Sequence, residues 1–164
     1  MTEHLTTRRQ FIVVTGGLIA AAGIPERGDA QSIGGNAARN EAAVARLEAA
    51  VRELVGESPV KAGRIKLDIP LLVENGNAVP LAVTVDSPMT EADHVKTIHI
   101  FNEKNPQPNV ANFHLGPRAG RAHVTSRMRL ADTQKVIAIA QLSDGSFWSD
   151  SVDVVVTLAA CLED

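Results

Sequence analysis

The chain has 164 residues, 45% of them hydrophobic and 21% charged, so it can bury a core and fits one domain. Its formal net charge is -3, and only 3% of its residues are aromatic. Nucleic-acid binding relies on an excess of cations and often on stacked aromatic rings, so this composition argues against a nucleic-acid partner. A lone cysteine, Cys161, excludes an internal disulfide.

The N-terminus has the pattern of an export signal. Residues 7–12 read Thr-Arg-Arg-Gln-Phe-Ile and precede an apolar run, 13–23, that is shorter than the roughly 20 residues of a membrane-spanning helix. The small residues of Gly28-Asp29-Ala30 suit a signal peptidase. We expect residues 1–30 to be a twin-arginine signal peptide and the mature protein to be periplasmic, without a membrane anchor. The alternative is an uncleaved anchor or a chance arginine pair.

In the N-terminal segment, residues 31–59, apolar residues recur with the period of an α-helix. Asn40 can cap the helix at its start and Gly56 can end it after Val55. Apolar residues between these two ends recur at spacings that form one stripe. The stripe consists of Val44, Leu47, Val51, Leu54 and Val55. The sequence therefore predicts one amphipathic helix over residues 40–55.

After Pro59 the repeat of apolar residues shortens from 3.6 residues, the period of a helix, to 2 residues, the period of a strand. The predicted strands are Ile65–Ile69, Val79–Val85, Val95–Phe101, Val110–Leu115, His123–Leu130, Val136–Gln141 and Val152–Leu158. Asp144-Gly145 predicts a type I′ hairpin with positive φ at both residues. Short strands separated by turn residues predict an all-β fold, an antiparallel β-sandwich over residues 60–158.

The sequence lacks the common catalytic motifs. It has no dinucleotide-binding, phosphate-loop, Cys-x-x-Cys, His-Glu-x-x-His or Gly-x-Ser-x-Gly pattern. We therefore expect neither an enzyme nor a bound cofactor. Twin-arginine export carries folded proteins, commonly because a cofactor or a partner is acquired first, so a partner protein is the better explanation here.

Cys161 is the strongest candidate for chemistry. Alternation in the last strand puts Val152, Val154, Val156 and Leu158 on one face and Cys161 on the other, more polar face. An exposed odd cysteine in an exported protein indicates intermolecular bonding or a reactive role. The alternative is a small buried residue that closes the sheet. Glu163 and Asp164 disfavour the thiolate, so activation has to come through space or from a partner.

Other charged and polar residues allow weaker hypotheses. His99, His114 and His123 lie on three predicted strands. With Met89, Met128 or Cys161 they could form a soft-metal site such as a copper site, although scattered strand histidines are more often surface or hydrogen-bonded residues. Aspartates at 93, 150 and 153 are interpreted as solvated, and Asp144 as a turn residue. Four arginines, at 118, 121, 127 and 129, form either a solvated edge or a surface for an anion.

Several motifs, in order along the chain, resemble those of the SoxY family. They are Gly63-Arg-Ile-Lys-Leu-Asp-Ile-Pro, Glu74-Asn-Gly-Asn, Val79-Pro, Ser87-Pro-Met-Thr, Asn105-Pro-x-Pro, Arg127-Met-Arg-Leu, Ser143-Asp-Gly-Ser and the terminal Cys161. SoxY proteins are sulfur carriers of periplasmic thiosulfate oxidation. The resemblance covers residues 63–161, and the twin-arginine leader is consistent with it.

The resemblance implies an immunoglobulin-like sandwich, a heterodimer with a SoxZ-like subunit, and sulfur-oxidation enzymes as clients. It also implies that Cys161 is the covalent carrier residue, on a mobile arm of residues 159–164 that includes Ala159, Ala160 and Leu162. The family's carriers end in Gly-Gly-Cys-Gly-Gly, whereas this chain ends in Ala-Ala-Cys-Leu-Glu-Asp. Because this arm is stiffer, wider and more negative, we expect a variant group with a changed cargo or client.

The leading hypothesis is a non-enzymatic periplasmic carrier, loaded at Cys161 by disulfide-type exchange or oxidative conjugation. A second hypothesis is an interaction or metal-handling module that has no covalent sulfur cargo. A third is an adaptor that pairs through sheet edges and carries nothing.

Overall fold

The computed structural model describes the backbone of residues 30–160 and the side chains from residue 35 onward. By its internal contacts the chain divides into two units, Met1–Gly34 and Gly35–Asp164, and all the strands lie in the second. Within the described residues, no helix is long and apolar enough to cross a membrane. The predicted signal peptide lies almost wholly outside the described residues and stays a prediction.

In the part of the chain that the structure describes, one helix precedes the strands. α1 runs over Ala30–Val55, so its predicted end is confirmed, whereas its predicted start at Asn40 is wrong. Gly56 ends the helix in the left-handed region, at φ +60°, and its N–H bonds to the Arg52 carbonyl at 2.8 Å. The buried side of the helix packs on the strands that follow. Leu47 of the helix forms a small apolar cluster there with Phe101, Ile139 and Phe147 of the strands.

Within the described residues, nine strands follow the helix, β1 to β9 in chain order. They are Val60–Ala62, Ile65–Asp68, Leu72–Val73, Val79–Val85, Val95–Asn102, Asn109–His114, His123–Met128, Gln134–Leu142 and Phe147–Val156. All seven predicted strands are present, with ends that differ by up to five residues, most at the start of β9, which is Phe147 rather than Val152. The two additional strands, β1 and β3, have three and two residues and pair in parallel with β9.

The strands form two sheets. The larger sheet has the order β1-β9-β8-β5-β6, with β3 beside the end of β9, and the smaller has the order β2-β4-β7. Alternate residues of the central strands, such as Ile98, Ile100, Val136 and Val154, are buried between the sheets. The fold is an immunoglobulin-like β-sandwich with one helix on its N-terminal side, as the sequence predicts.

The turn between β8 and β9 corrects one local prediction. Gly145 has a positive φ of 83°, but Asp144 does not, so the turn is not type I′. Asp144 instead accepts hydrogen bonds from the Ser146 N–H and hydroxyl, at 2.8 and 2.7 Å. These bonds hold the pKa of the Asp144 carboxyl below its usual value. The aspartate therefore stabilises the turn through its side chain.

Candidate functional site: the anchored C-terminal segment

The predicted carrier arm lies partly within the described residues. Ala159 and Ala160 are described, whereas Cys161 and Leu162 lie outside the described residues. Ala160 is only 6% exposed, and it directly precedes the cysteine. The candidate site is therefore built from the chain that leads to Cys161, residues 155–160, and from the elements that hold this chain.

The end of β9 is held first by the segment around β3. The Val155 N–H donates to the Leu71 carbonyl at 2.8 Å, and the Thr157 N–H donates to the Val73 carbonyl at 3.0 Å. The single proton of the Thr157 hydroxyl is shared between two carbonyls of the same segment, that of Glu74 at 3.2 Å and that of Val73 at 3.4 Å. The chain thus stays attached to its neighbour after β9 itself has ended at Val156.

Gly76 and Leu130 hold the last described residues. The Gly76 N–H donates to the Leu158 carbonyl at 2.8 Å, and the Ala160 N–H donates to the Leu130 carbonyl at 3.0 Å. The two holding residues are themselves joined, because the Leu130 N–H donates to the Gly76 carbonyl at 2.9 Å. We call this arrangement of Gly76, Leu130, Leu158 and Ala160 the C-terminal clamp.

The clamp requires glycine at position 76. A Cβ atom there would lie 2.4 Å from the Leu130 carbonyl oxygen and 2.9 Å from the Ala160 nitrogen. Real Cβ atoms do not approach backbone atoms so closely, so any larger residue would push the clamp apart. Sequence reasoning used Glu74-Asn-Gly-Asn only as one of the motifs that resemble those of the SoxY family. It missed that Gly76 is buried beneath the chain leading to Cys161.

The predicted alternation of the last strand holds only in part. Val154 is buried and Val152 and Val156 pack against the core, as predicted. Leu158, however, is 61% exposed, so its predicted inward position is wrong. The register changes because the strand ends at Val156 and the clamp, rather than strand pairing, then directs the chain.

Exposed aliphatic side chains surround the anchored segment. Leu71 and Leu72 are 68% and 62% exposed, and Val155, which is paired with Leu72 in the sheet, is 48% exposed. Leu158, further along the segment, is 61% exposed. The three leucines are the most exposed large hydrophobic residues of the described chain.

The three histidines of the metal hypothesis do not converge. His99 and His114 lie on adjoining strands of the larger sheet, whereas His123 lies on β7 in the smaller sheet. His123 Nδ1 is 2.9 Å from the Thr84 hydroxyl, its neighbour across the strands. Among the described residues, no group of three metal-ligating side chains exists. The described geometry therefore gives the metal-handling hypothesis no support.

The burial and contacts of His99 are those of a structural residue. It is buried, it donates from Nδ1 to the Asn112 side-chain oxygen at 2.7 Å, and its ring stacks on Phe101. Burial lowers the pKa of His99, and nearby His114 lowers it further, whereas the bond to Asn112 opposes the shift. His99 is therefore a neutral, hydrogen-bonded residue near neutral pH.

Two aspartates that the sequence assigned to solvated faces have specific partners. Asp150 on β9 accepts a hydrogen bond from the Leu67 N–H of β2 at 2.8 Å, which joins the two sheets. Asp93 forms an ion pair with Arg64 at 2.9 Å. Both contacts link residues that are distant in sequence, so they left no local signal. Neither aspartate belongs to an acid–base pair.

The fold and the site define a class: an immunoglobulin-like β-sandwich whose last strand leads, through an anchored segment, into a single cysteine. The model of the family described as "Sulfur oxidation protein SoxY" matches residues 51–161, and thus ends on Cys161. The chain belongs to the SoxY family. No curated protein sequence matches it.

Solved structures agree with this family. The sulfur carrier protein SoxY from Chlorobium limicola f thiosulfatophilum is 30% identical, with a TM-score of 0.58, over 70% of this chain and 98% of that chain. A superoxide reductase (neelaredoxin) from Ignicoccus hospitalis is 18% identical, with a TM-score of 0.51, over 56% and 78%. A putative superoxide reductase from Thermotoga maritima is 20% identical, with a TM-score of 0.51, over 59% and 93%. The two reductases share the fold.

Proposed function

We propose that this protein is a periplasmic sulfur carrier that holds a sulfur adduct on Cys161 and presents it to separate enzymes. The observation that carries the proposal is the family match, which runs through the sandwich and ends on the only cysteine of the chain. The Chlorobium structure, described as a sulfur carrier protein, supports the same role.

Loading by exchange needs no external oxidant. The Cys161 thiolate attacks a sulfur of a disulfide-like donor, a new S–S bond forms, the donor's S–S bond breaks, and the electron pair leaves with the departing thiolate. Oxidative conjugation of two thiols instead releases two protons and two electrons, which a redox partner enzyme has to accept. In both cases the carrier supplies the thiol, and the client supplies the catalysis.

The residues next to Cys161 indicate what kind of client active site could activate its thiol. Glu163 and Asp164 place negative charge beside Cys161 and disfavour its thiolate. A client active site with cationic groups would reverse this effect, because positive charge favours the thiolate. We therefore propose that Cys161 is activated within the client. The acidic, glycine-free arm supports clients that differ from those of carriers with a Gly-Gly-Cys-Gly-Gly end.

Export and assembly complete the proposal. The paired arginines at 8 and 9 support export of the folded protein by the twin-arginine route, together with a SoxZ-like subunit. Within this proposal the chain is a covalent carrier without catalytic activity of its own.

A gene replacement in the host tests the function. Cys161→Ser removes the thiol and keeps the size of the side chain, so sulfur oxidation by the host should be lost while the protein accumulates normally in the periplasm. The matched control is Thr157→Ser, which keeps a hydroxyl in the anchored segment. Full sulfur oxidation by the Cys161→Ser strain would contradict the carrier role.

A further inference from the structure

Strand β7 is an edge of the smaller sheet, and its backbone is paired on one side only. It is the last strand in the order β2-β4-β7. The Val85 N–H of β4 donates to the Ala122 carbonyl at 2.9 Å, which fixes the positions whose backbone groups face β4. By alternation, the N–H and C=O groups of His123, Thr125 and Arg127 point away from β4.

The two edges of the smaller sheet differ in how their outward backbone groups are satisfied. On β2, the Leu67 N–H is bonded to the Asp150 carboxylate at 2.8 Å. On β7, no group of the described chain bonds to the outward N–H and C=O groups of His123, Thr125 and Arg127. The edge of β7 is therefore open, and an open edge is a template on which another extended segment can pair.

The exposed face of β7 is cationic. Exposure alternates strictly along residues 121–130, so the exposed side chains share the outer face. They are Arg121, His123, Thr125, Arg127 and Arg129. We call its three arginines, Arg121, Arg127 and Arg129, the β7 arginine row. Arg118 lies before β7 in a 3-10 turn and is outside the row.

The β7 arginine row has no acidic partner within the described residues. The residues opposite β7 on the outer face of β4 are uncharged; they are Pro80, Ala82 and Thr84. Asp68 is the only acidic residue of the three strands, and it lies on β2, two strands from β7. The positive charge of the row is thus available to a partner.

The inner side of β7 is less covered than that of the central strand. All the inward residues of β4 are buried, whereas Val124 and Ser126 of β7 are half-buried. Val124 packs against the core between the sheets. A strand added beside β7 would place alternate side chains next to Val124 and Ser126, where apolar groups extend the core.

A second copy of this chain does not suit the edge. Antiparallel pairing of two β7 strands centred on Thr125 places Arg129 of each copy opposite Arg121 of the other. It also places Arg127 opposite His123. Like charges directly opposite each other destabilise a sheet. The row therefore disfavours pairing with itself and favours a segment that carries negative charge.

We propose that the open edge of β7 binds an extended segment of a partner protein as an additional strand. In that segment, acidic side chains lie beside the β7 arginine row, and the alternate, apolar side chains lie beside Val124. Backbone bonds to His123, Thr125 and Arg127 supply affinity, and the acidic–apolar alternation supplies specificity. The inference goes beyond the carrier function, which concerns Cys161, and does not rest on it.

A designed peptide tests the proposal on the full-length protein. The probe is a blocked peptide of about ten residues in which glutamate and valine alternate. A peptide with the same residues in two blocks has the same charge and is the control. NMR titration gives the dissociation constant, and amide hydrogen exchange locates the bound strand.

Three variants accompany the titration. The double variant Arg127→Gln, Arg129→Gln removes charge from the row. Arg46→Gln is its matched control, because it removes an exposed arginine from α1. Thr125→Pro removes one outward N–H and leaves the bonds to β4 in place.

The expected result is a roughly tenfold higher dissociation constant for the double variant and an unchanged one for Arg46→Gln. Thr125→Pro should abolish binding. In the wild-type complex the amides of His123, Thr125 and Arg127 should gain protection from exchange. The amides of Val124 and Ser126 should change little, because they already face β4.

Three outcomes would overturn the proposal. They are failure of the alternating peptide to bind, equal binding of the two peptides, and protection of amides other than those on the open edge of β7. Cys161→Ser should bind the peptide as the wild type does. Loss of the carrier function and loss of strand binding are therefore separate results.

Discussion

Replacing Gly76 with alanine tests the C-terminal clamp most severely. The new Cβ would lie 2.4 Å from the Leu130 carbonyl oxygen and 2.9 Å from the Ala160 nitrogen, so these backbone atoms have to move apart. The movement breaks the bonds from Gly76 to Leu158 and from Ala160 to Leu130. We expect the segment leading to Cys161 to detach from the sandwich, because these two bonds hold its last described residues.

The magnitude follows from the bonds that are lost. Each backbone hydrogen bond contributes about 1 kcal/mol net, so losing two lowers the free energy of unfolding by about 2 kcal/mol. The overpacking penalty of about 1–3 kcal/mol is largely relieved if the segment moves away. Detachment also lengthens the tether of Cys161, so its alkylation by iodoacetamide should become faster.

Two measurements check this prediction. Urea unfolding gives the change in free energy, and amide hydrogen exchange reports whether the Ala160 N–H loses its protection. The matched control is Gly116→Ala, because a Cβ at Gly116 meets nothing within 4 Å. That variant should stay within about 0.5 kcal/mol of the wild type. A Gly76→Ala protein with wild-type stability and a protected Ala160 amide would refute the clamp.

Three further predictions concern the sandwich. Asp150→Ala should lower the free energy of unfolding by about 1.5–3 kcal/mol in urea titrations, because it removes a charged acceptor from the Leu67 N–H. The control Asp153→Ala replaces an exposed aspartate of the same strand and should change the free energy of unfolding little. Equal effects of the two substitutions would contradict the link between the sheets. Asn102→Leu should raise the free energy of unfolding by about 1 kcal/mol, since the side-chain amide of Asn102 is buried without a hydrogen-bond partner among the described residues. A destabilised Asn102→Leu protein would show that the amide has a stabilising role. The lowered pKa of His99 means that the unfolded state binds more protons below the ordinary value of 6.5, so stability falls as the pH drops below about 6.5. Urea titrations at pH 7.5 and 5.5 should show a smaller fall for His99→Gln, and identical falls would disprove that assignment.

The sequence predicted the strands well where side chains alternate over several residues. Alternation identified β2, β4 and β9 because alternate residues of each are buried between the sheets. It missed β1 and β3, whose three and two residues are too short for a period of 2 to show. The start of the helix was wrong because Gly34 and Gly35 are poor helix formers, yet the helix continues through both.

The sequence predicted the reactive residue of the site but not the contacts that hold the segment leading to it. Cys161 and its alanine neighbours could be singled out because the chain has one cysteine and motifs that resemble those of SoxY. The clamp could not, because it joins Gly76, Leu130 and Ala160 through backbone bonds between distant parts of the chain. Backbone hydrogen bonds of this kind leave no pattern in residue type, except that a close approach demands glycine.

The most direct test of the carrier role is mass spectrometry of the protein isolated from its host during growth on reduced sulfur compounds. The role predicts a mass addition that thiol reductants remove, on the peptide that contains Cys161, and no such addition on the Cys161→Ser protein. A Cys161 that is never modified under these conditions, in a strain that oxidises sulfur normally, would contradict it.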